Sequence, residues 1–336
     1  MKILVTGGAG YIGSHVVLEL LAQGHEVIII DNFSNSSEIA LKHIEKLSEK
    51  SINYIYGDYG DENLLSNIFN CNKIDAVMHF AGFKSVSESQ TKVLNYYLNN
   101  VASTLTLLHK MKLHNVRRFI FSSSATVYGI PKRVPISETA EVGGTTNPYG
   151  TSKYIIEQIL NDLGQANDFD IVILRYFNPV GAHPSGLIGE SPKGAPNNLV
   201  PYLLDVAAGI RDQLYIYGND YPTRDGTGVR DFIHIMDLAA GHVRSLDFLQ
   251  TNTGVHCFNL GTGKGYSVLE LITTFEKLTN IKIAHSYTER RPGDIAECWA
   301  DPTNANRLLK WTAEKTLQDM LNDAWRWKNN FPNGYF

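Results

Sequence analysis

The sequence predicts an α/β fold, a doubly wound parallel sheet followed by a smaller C-terminal α/β unit. Three observations predict it. From residue 1 to about 176, apolar runs of strand length alternate with segments of helical periodicity. The chain opens on a strand, a glycine-rich turn and a helix, Val5-Thr6-Gly7-Gly8-Ala9-Gly10-Tyr11-Ile12-Gly13. Beyond Tyr176 the texture changes to Gly-, Pro- and Asn-rich stretches at 178–198 and 217–230, the kind that form binding loops.

The first strand spans 2–6. In the turn after it, Gly7 can take the positive φ that tight turns need, Gly10 has no Cβ to hold a pyrophosphate off the backbone, and Gly13 lets the helix lie close to the strand. An anion at that helix N-terminus meets unsatisfied N–H groups and the positive end of the macrodipole. Ile12, Val16, Leu20 and Val17, Leu21 recur at helical spacing, and Gly24 stands where a helix-ending glycine is expected. A second strand, 26–30, leads into Asp31, 18 residues past Gly13, whose carboxylate can accept both ribose hydroxyls of an adenosine. Asn32 and Phe33 bring no arginine to a 2′-phosphate, so the pattern favours NAD over NADP. Then follow a helix at 38–46, a strand at 53–56 ending in Gly57-Asp58, a helix at 61–69, and a strand at 74–80 ending in the small pair Ala81-Gly82. Asp58 stands where an adenine amine is met, and Ala81-Gly82 lets the second phosphate pass closely. A long helix over about 92–113 precedes a strand at 118–121 and Ser122-Ser123-Ser124; another helix starts near Tyr149, and a strand covers 171–175. This is the Rossmann alternation, with right-handed crossovers and helices on both faces. Gly7, Asp31, Asp58, Ala81, Ser124 and Tyr176 fall at carboxyl ends of strands, where ligands bind. The expected partition is a nucleotide-binding unit over 1–176, to which 229–249 returns, and a ligand-binding unit over 177–336.

With 336 residues, 43% hydrophobic and 19% charged, the chain has ample core. Its net charge of -4 argues against nucleic acid as partner, since that takes a basic surface. No apolar run approaches membrane-span length and no leader precedes the first strand, so the expectation is a cytoplasmic enzyme with no membrane partner. Cys71, Cys257 and Cys298, odd in number and far apart, suit free thiols in a reducing compartment. His79, His183, His234 and His256 show no ligand spacing, so no metal is expected.

A tyrosine that exchanges a proton with a sugar hydroxyl near neutral pH must have its pKa of about 10 lowered. Tyr149-x-x-x-Lys153 places a lysine one helical turn away on the same face. Tyr128-x-x-x-Lys132 has the same spacing, but Gly129 and Pro131 make a helix there unfavourable, whereas Asn147-Pro148 is a good helix start for Tyr149. Ser124, at a strand end, supplies a third group, a hydroxyl to hold the sugar oxygen or relay its proton.

Together, the Gly7 motif, a serine at a later strand end and Tyr149-x-x-x-Lys153 resemble the extended short-chain dehydrogenase/reductase family. Within it, 121–129 (FSSSATVYG), 147–150 (NPYG), 175–183 (RYFNPVGAH) and 228–234 (GVRDFIH) resemble the UDP-glucose 4-epimerases across essentially the whole chain. The resemblance implies a tightly held NAD: Tyr149 takes the proton from the sugar 4-hydroxyl as a hydride passes from C4 to the nicotinamide, the 4-keto sugar turns over, and the hydride returns to its other face. Lys153 would hold the nicotinamide ribose and depress the tyrosine pKa. The cofactor contacts implied are Gly7, Gly10, Tyr11, Ile12 and Gly13 at the turn, Asp31, Asn32 and Asp58 at the adenosine, and Phe80, Ala81, Gly82, Lys84, Asn99 and Tyr176 with Tyr149 and Lys153 along the remainder. Asn178, Asn198 with Leu199, Arg230 and Arg291 would grip the UDP, Tyr217 would stack on uracil and Asp294 would lie near a ribose; Ser124 and Tyr149 face the sugar. Arginine's paired donors suit a pyrophosphate. A homodimer is implied too, through the apolar faces of the 92–113 and Tyr149 helices.

Two departures narrow this. Dehydratases and decarboxylases of the superfamily place an acidic residue after the active-site serine or threonine, whereas Ala125 and Thr126 follow Ser124. In members restricted to UDP-glucose and UDP-galactose, the position of Cys298 is typically a tyrosine that fills the space of an N-acetyl group. Cys298 therefore implies that UDP-N-acetylglucosamine and UDP-N-acetylgalactosamine are also substrates. Two other readings stay open: a different sugar-nucleotide enzyme of the superfamily, and a non-catalytic NAD-binding regulator.

Overall fold

The computed structural model describes every residue except Ala195, Asn197, Pro292 and Phe336. Strand β1 (Lys2–Thr6) runs through the glycine turn into helix α1 (Tyr11–Ala22), and β2 (Glu26–Asp31) pairs beside β1. Helix α2 (Glu38–Ser48), capped by the Ser37 hydroxyl, leads to β3 (Asn53–Tyr56). Helix α3 (Glu62–Cys71), whose Asp61 carboxylate accepts from the N–H groups of Asn63 and Leu64, leads to β4 (Ala76–His79) on the other flank of β1.

The long helix expected over 92–113 is present from Val93 to Leu113, but its middle widens into a π-helical turn. Short helices α4 (Val86–Thr91) and α5 (Val93–Tyr96) lead into a π-helical stretch, Tyr97–Ala102, before α6 (Ser103–Leu113). Asn100, buried in that stretch, accepts from the Phe83 N–H and donates to the Phe83 carbonyl and the Ser152 hydroxyl. A wider turn is bought by tertiary hydrogen bonds of this kind, which leave no mark on hydrophobic periodicity.

Strand β5 (Arg118–Ser124), helix α7 (Pro148–Gln165) and β6 (Asp170–Tyr176) follow, then β7 (Asn178–Val180), α8 (Leu199–Ala207), β8 (Leu214–Tyr217), β9 (Val229–Arg230) and β10 (Phe232–His234). Helix α9 (Ile235–Phe248) leads to β11 (Val255–Leu260), and β12 (Tyr266–Ser267), α10 (Val268–Thr279), β13 (His285–Thr288), β14 (Glu297–Cys298) and α11 (Leu317–Asn330) complete the chain. Seven parallel strands form the central sheet in the order β11-β6-β5-β4-β1-β2-β3. Of 229–249, the helix lies against α1 over one face, while the strand that enters the sheet is β11. Small sheets β7·β10, β12·β9·β14 and β8·β13 build the remainder.

Both sheet faces are covered. Val5, Ile29 and Met78 pack with α1 and α9 on one side; Leu4, Val77, Phe119 and Phe121 pack with α3, α6 and α7 on the other. A third core joins α8, α10 and α11 through Leu203, Phe275 and Leu321. Near the end of β5 the interior turns polar. The Arg175 guanidinium pairs with the fully buried Glu157 carboxylate at 2.6 Å, Ser123 Oγ donates to the same carboxylate at 2.5 Å, and Arg175 also donates to the Tyr128 hydroxyl at 3.1 Å. With its donors and acceptors filled, this pair ties α7 to β5 and β6; losing one partner would strand a buried charge.

Three buried histidines make the fold acid-sensitive. Burial pushes His15 and His79 down to about 3 and His242 down to about 4. These folded values lie below the unfolded value of 6.5, so below that pH the unfolded chain binds protons that the native chain does not. Stability is therefore intact above about pH 6.5 and falls steadily as pH drops toward 4, by about 2 kcal/mol per histidine at pH 5. Urea unfolding at pH 7 and pH 5 measures the slope, and His242→Asn is expected to flatten it relative to the natural chain.

Candidate active site

The chain places β2 and β3 on one side of β1 before turning back to β4 on the other, so the strand order reverses beside β1 and a crevice opens there. Gly7 turns in this crevice with φ 71°. A Cβ on Gly7 would lie 2.7 Å from Ala81 N, and one on Gly13 2.2 Å from the Gly7 carbonyl. A Cβ on Gly10 would meet nothing nearer than that carbonyl at 3.2 Å; it would stand in the open cradle before the helix. No side chain caps α1 and no acid stands in its first turn. These residues fit a dinucleotide pyrophosphate, which needs exposed N–H groups and no side chain in the way.

At the end of β2, the Asp31 carboxylate accepts from Ala9 N–H at 3.0 Å, Phe33 N–H at 2.9 Å and the Ser36 hydroxyl at 2.7 Å. Its Oδ2, with one donor, keeps a lone pair for a ribose hydroxyl. Asn32 donates to Asp58 at 3.2 Å, joining the ends of β2 and β3. Tyr11 donates its hydroxyl to the Gly181 carbonyl at 2.7 Å, and Ile12 packs into the α1 core. After β4, the Phe80 ring lies 4.9 Å from that of His242, Gly82 sits at φ 145° against the Asn100 carboxamide, and Lys84 Nζ is 3.1 Å from Glu190. The Asn99 side chain donates to Asn100 at 2.9 Å.

Asn147 caps α7 through Gly150 N–H at 2.9 Å, with Pro148 in the first turn. This puts Tyr149 and Lys153 on the buried face beside the end of β5. Burial pushes the Tyr149 phenol above its usual value, and a hydrogen bond with the Ser124 hydroxyl pulls it back. Lys153 is turned elsewhere: Nζ donates to the Ser122 carbonyl at 2.8 Å and lies 4.7 Å from the centre of the Phe121 ring. Burial lowers its pKa to about 8, with Glu157 opposing. The hydrogen bond that opposes the rise at Tyr149 is thus the serine's, while Lys153, four residues on, is held at the Ser122 carbonyl. Tyr176, raised by burial and then by Tyr149, hydrogen-bonds Ser122, whose hydroxyl also meets His242 Nε2 at 3.0 Å. The rival pair separates: Tyr128 is buried on a 3₁₀ turn, bonded to Asn259 at 2.7 Å, while Lys132 is exposed on Glu141.

The remaining residues form three groups. Arg291 stacks its guanidinium 3.8 Å over the Tyr217 ring. Arg230 lies 3.9 Å from Asp294 and is the register partner of Cys298 on β14. Cys298 is half-buried against Val127, Tyr128 and Phe177, and burial pushes its thiol up to about 11, so it is a neutral, small side chain. Asn198, at the N-cap of α8 and followed by half-buried Leu199, donates to Glu190 at 3.1 Å. Asn178 is exposed on β7, its N–H bonded to the Asp231 carbonyl at 3.0 Å. Glu190, Asn100 and the buried, unpartnered Thr126 hydroxyl were not singled out as site residues from sequence. Thr126 could have been, two residues past Ser124; Glu190 lies in an irregular loop with no pattern to mark it.

Comparison with known proteins matches this architecture. The family described as GDP-mannose 4,6 dehydratase matches residues 4–324. The UDP-glucose 4-epimerase of Haemophilus influenzae is 56% identical over 336 residues, 100% of this chain and 99% of that protein. The crystal structure of UDP-glucose 4-epimerase from Bifidobacterium longum in complex with NAD+ and UDP superposes with a TM-score of 0.97 at 53% identity, covering 100% of both chains. That of the UDP-Glc/GlcNAc 4-epimerase from Campylobacter jejuni gives 0.85 at 36% identity, covering 98% of this chain and 99% of the other. Glycine turn, Tyr149 helix and full-length relatives agree, and the chain belongs to the UDP-glucose 4-epimerase family of extended short-chain dehydrogenases/reductases.

Proposed function

We infer that the chain is an NAD-dependent isomerase that inverts C4 of UDP-hexoses, interconverting UDP-glucose and UDP-galactose. The observation that carries this is the buried Tyr149–Ser124 pair at the edge of a crevice whose glycine turn fits a dinucleotide. When bound, NAD supplies a reversible hydride acceptor. Asp31, Asn32 and Asp58 would hold its adenosine end, the backbone of 7–13 and of Phe80 to Gly82 its phosphates with Lys84 beside them, and Lys153, Asn99 and Tyr176 its nicotinamide end. Tyr149 is the acid–base group, taking the proton of the 4-hydroxyl and returning it once the opposite face of the keto carbon is presented. Ser124 holds the phenol and steadies the sugar oxygen. With its pKa at about 8, Lys153 remains a cation at neutral pH beside the same helix face. Ala125 and Thr126 on the turn after Ser124 offer no carboxylate for an elimination, which favours plain epimerisation over dehydration.

On the substrate side, Asn178, Asn198, Leu199, Arg230 and Arg291 would hold the diphosphate and uridine, with Tyr217 against uracil and Asp294 at its ribose. The labour divides between 1–176 with the helix of 229–249 for the cofactor, and 177–336 for the UDP-sugar. Leu94, Leu98 and Leu105, 68, 56 and 45% exposed, support pairing of two subunits through the 93–113 segment. No helix among the described residues is long and apolar enough to cross a membrane, in keeping with a cytoplasmic enzyme. A cysteine at 298, much smaller than the tyrosine typical of members restricted to UDP-glucose and UDP-galactose, supports UDP-N-acetylhexosamines as further substrates.

Purified protein is expected to release NAD on acid treatment and to convert UDP-galactose without added cofactor; net NADH or a dehydrated product would show a different reaction. In Tyr149→Phe, kcat should drop by about 100-fold or more while NAD stays bound, as loss of a general acid–base group does. Cys298→Tyr should abolish turnover of UDP-N-acetylgalactosamine and spare UDP-galactose. Equal activity of the two proteins on the acetylated sugar would refute the wider substrate range.

A further inference from the structure

We infer that Glu190 is a positioning residue that fastens the cofactor side of the crevice to its substrate side through one carboxylate oxygen. Its Oε1 accepts hydrogen bonds from Lys84 Nζ and from Asn198 Nδ2, each at 3.1 Å. Lys84 follows β4 on the sheet and Asn198 opens α8 in the other half of the chain; the inference rests on the proposed function, in which they face NAD and UDP. The Glu190 side chain is 12% exposed and that of Lys84 49%, so the acid is the fixed member and the lysine the one held. A lysine ammonium on its flexible stem has no set place without such a partner.

The loop carrying Glu190 is itself pinned. Trp327 of α11 donates its indole N–H to the Glu190 carbonyl at 3.2 Å, the Tyr335 N–H donates to Ser191 Oγ at 2.9 Å, and the Tyr335 hydroxyl to the Leu187 carbonyl at 2.8 Å. On the other flank, Lys193 Nζ donates to the Phe33 carbonyl at 2.5 Å, reaching the end of β2. Glu190 also sits by the first turn of α1: the Tyr11 phenol is pushed up by burial and, after that, by the Glu190 charge. A carboxylate in a site for phosphates opposes them by simple charge, so its presence calls for a different benefit. Holding two donors in register is one that the geometry supplies.

The two effects have opposite signs, which makes the test decisive. UDP is titrated calorimetrically into the NAD-loaded protein, and NAD retention through gel filtration is recorded. In Glu190→Ala the Kd for UDP is expected to rise about tenfold and NAD retention to fall. Glu190→Gln, which keeps an acceptor oxygen without the charge, should stay within about threefold of the natural protein. The Lys84→Ala/Glu190→Ala double variant should bind UDP no more weakly than the weaker single. Unchanged or tighter UDP binding in Glu190→Ala, equal losses in Ala and Gln, or effects that multiply in the double variant would overturn the inference. Should Glu190→Ala fail to fold, Glu190→Asp carries the same comparison, since it keeps the charge but draws it back by one methylene. Natural protein lacking NAD and epimerase activity overturns the proposed function and this inference with it; an active natural protein with an unaffected Glu190→Ala overturns this inference alone.

Discussion

The structure depends on a close approach of backbone to backbone. Where Gly13 crosses the Gly7 carbonyl and Gly7 abuts Ala81, there is no room for a single methyl group. That contact sets α1 directly against β1, and α1 in turn is wedged beside α2 and α9, which explains why it is apolar nearly all round instead of along one stripe. The same contact keeps the ends of β1 and β4 side by side, which makes the crevice narrow and lined by main chain. Everything that the crevice can bind follows from that spacing.

The end of β5 shows a second economy. Its three serines point alternately to opposite sides, as a strand requires. Ser123 turns to Glu157 and so joins the buried ion pair with Arg175. Ser122 and Ser124 face the other way, the first holding Lys153 by its carbonyl and His242 by its hydroxyl, the second meeting Tyr149. Structural charge and reactive hydroxyl are thus separated by the pleat of one strand, and small side chains leave space for both.

Much of this was legible in the sequence. Alternating periodicity gave the strands β1 to β6 within a few residues: β1, β2, β4, β5 and β6 each bury an apolar run whose length the sheet dictates, while β3, the exposed edge strand, was legible from its place in the alternation. The pairing of Tyr149 with Lys153 on one face followed from helical spacing, and the unsuitability of Tyr128 with Lys132 from Gly129 and Pro131. What escaped has a common cause. The π-helical stretch at 97–102, the turning of Lys153 to Ser122 and the bridge at Glu190 each depend on partners far away in the chain, such as Phe83 for Asn100 and Trp327 for Glu190. Local patterns carry no trace of such partners. Nor does periodicity single out, in a chain whose later half is rich in short elements, the strand at 255–260 that closes the sheet.

That late strand has a consequence for how such a protein can change. β11 pairs with β6 along its whole length, yet between them the chain makes β7, α8, β8, β9, β10 and α9. Much of the part that would recognise the sugar nucleotide, from Asn178 to Arg230, is therefore an insertion between two neighbouring strands of the cofactor-binding sheet, and the rest, Arg291, Asp294 and Cys298, follows the second of them. It cannot be exchanged as a cassette by cutting once after Tyr176, since that cut leaves β6 as a bare edge and strips α9 from α1. New specificities in this architecture are reached by altering loops in place, residue by residue, while the sheet's own completion enforces that the two halves are inherited together.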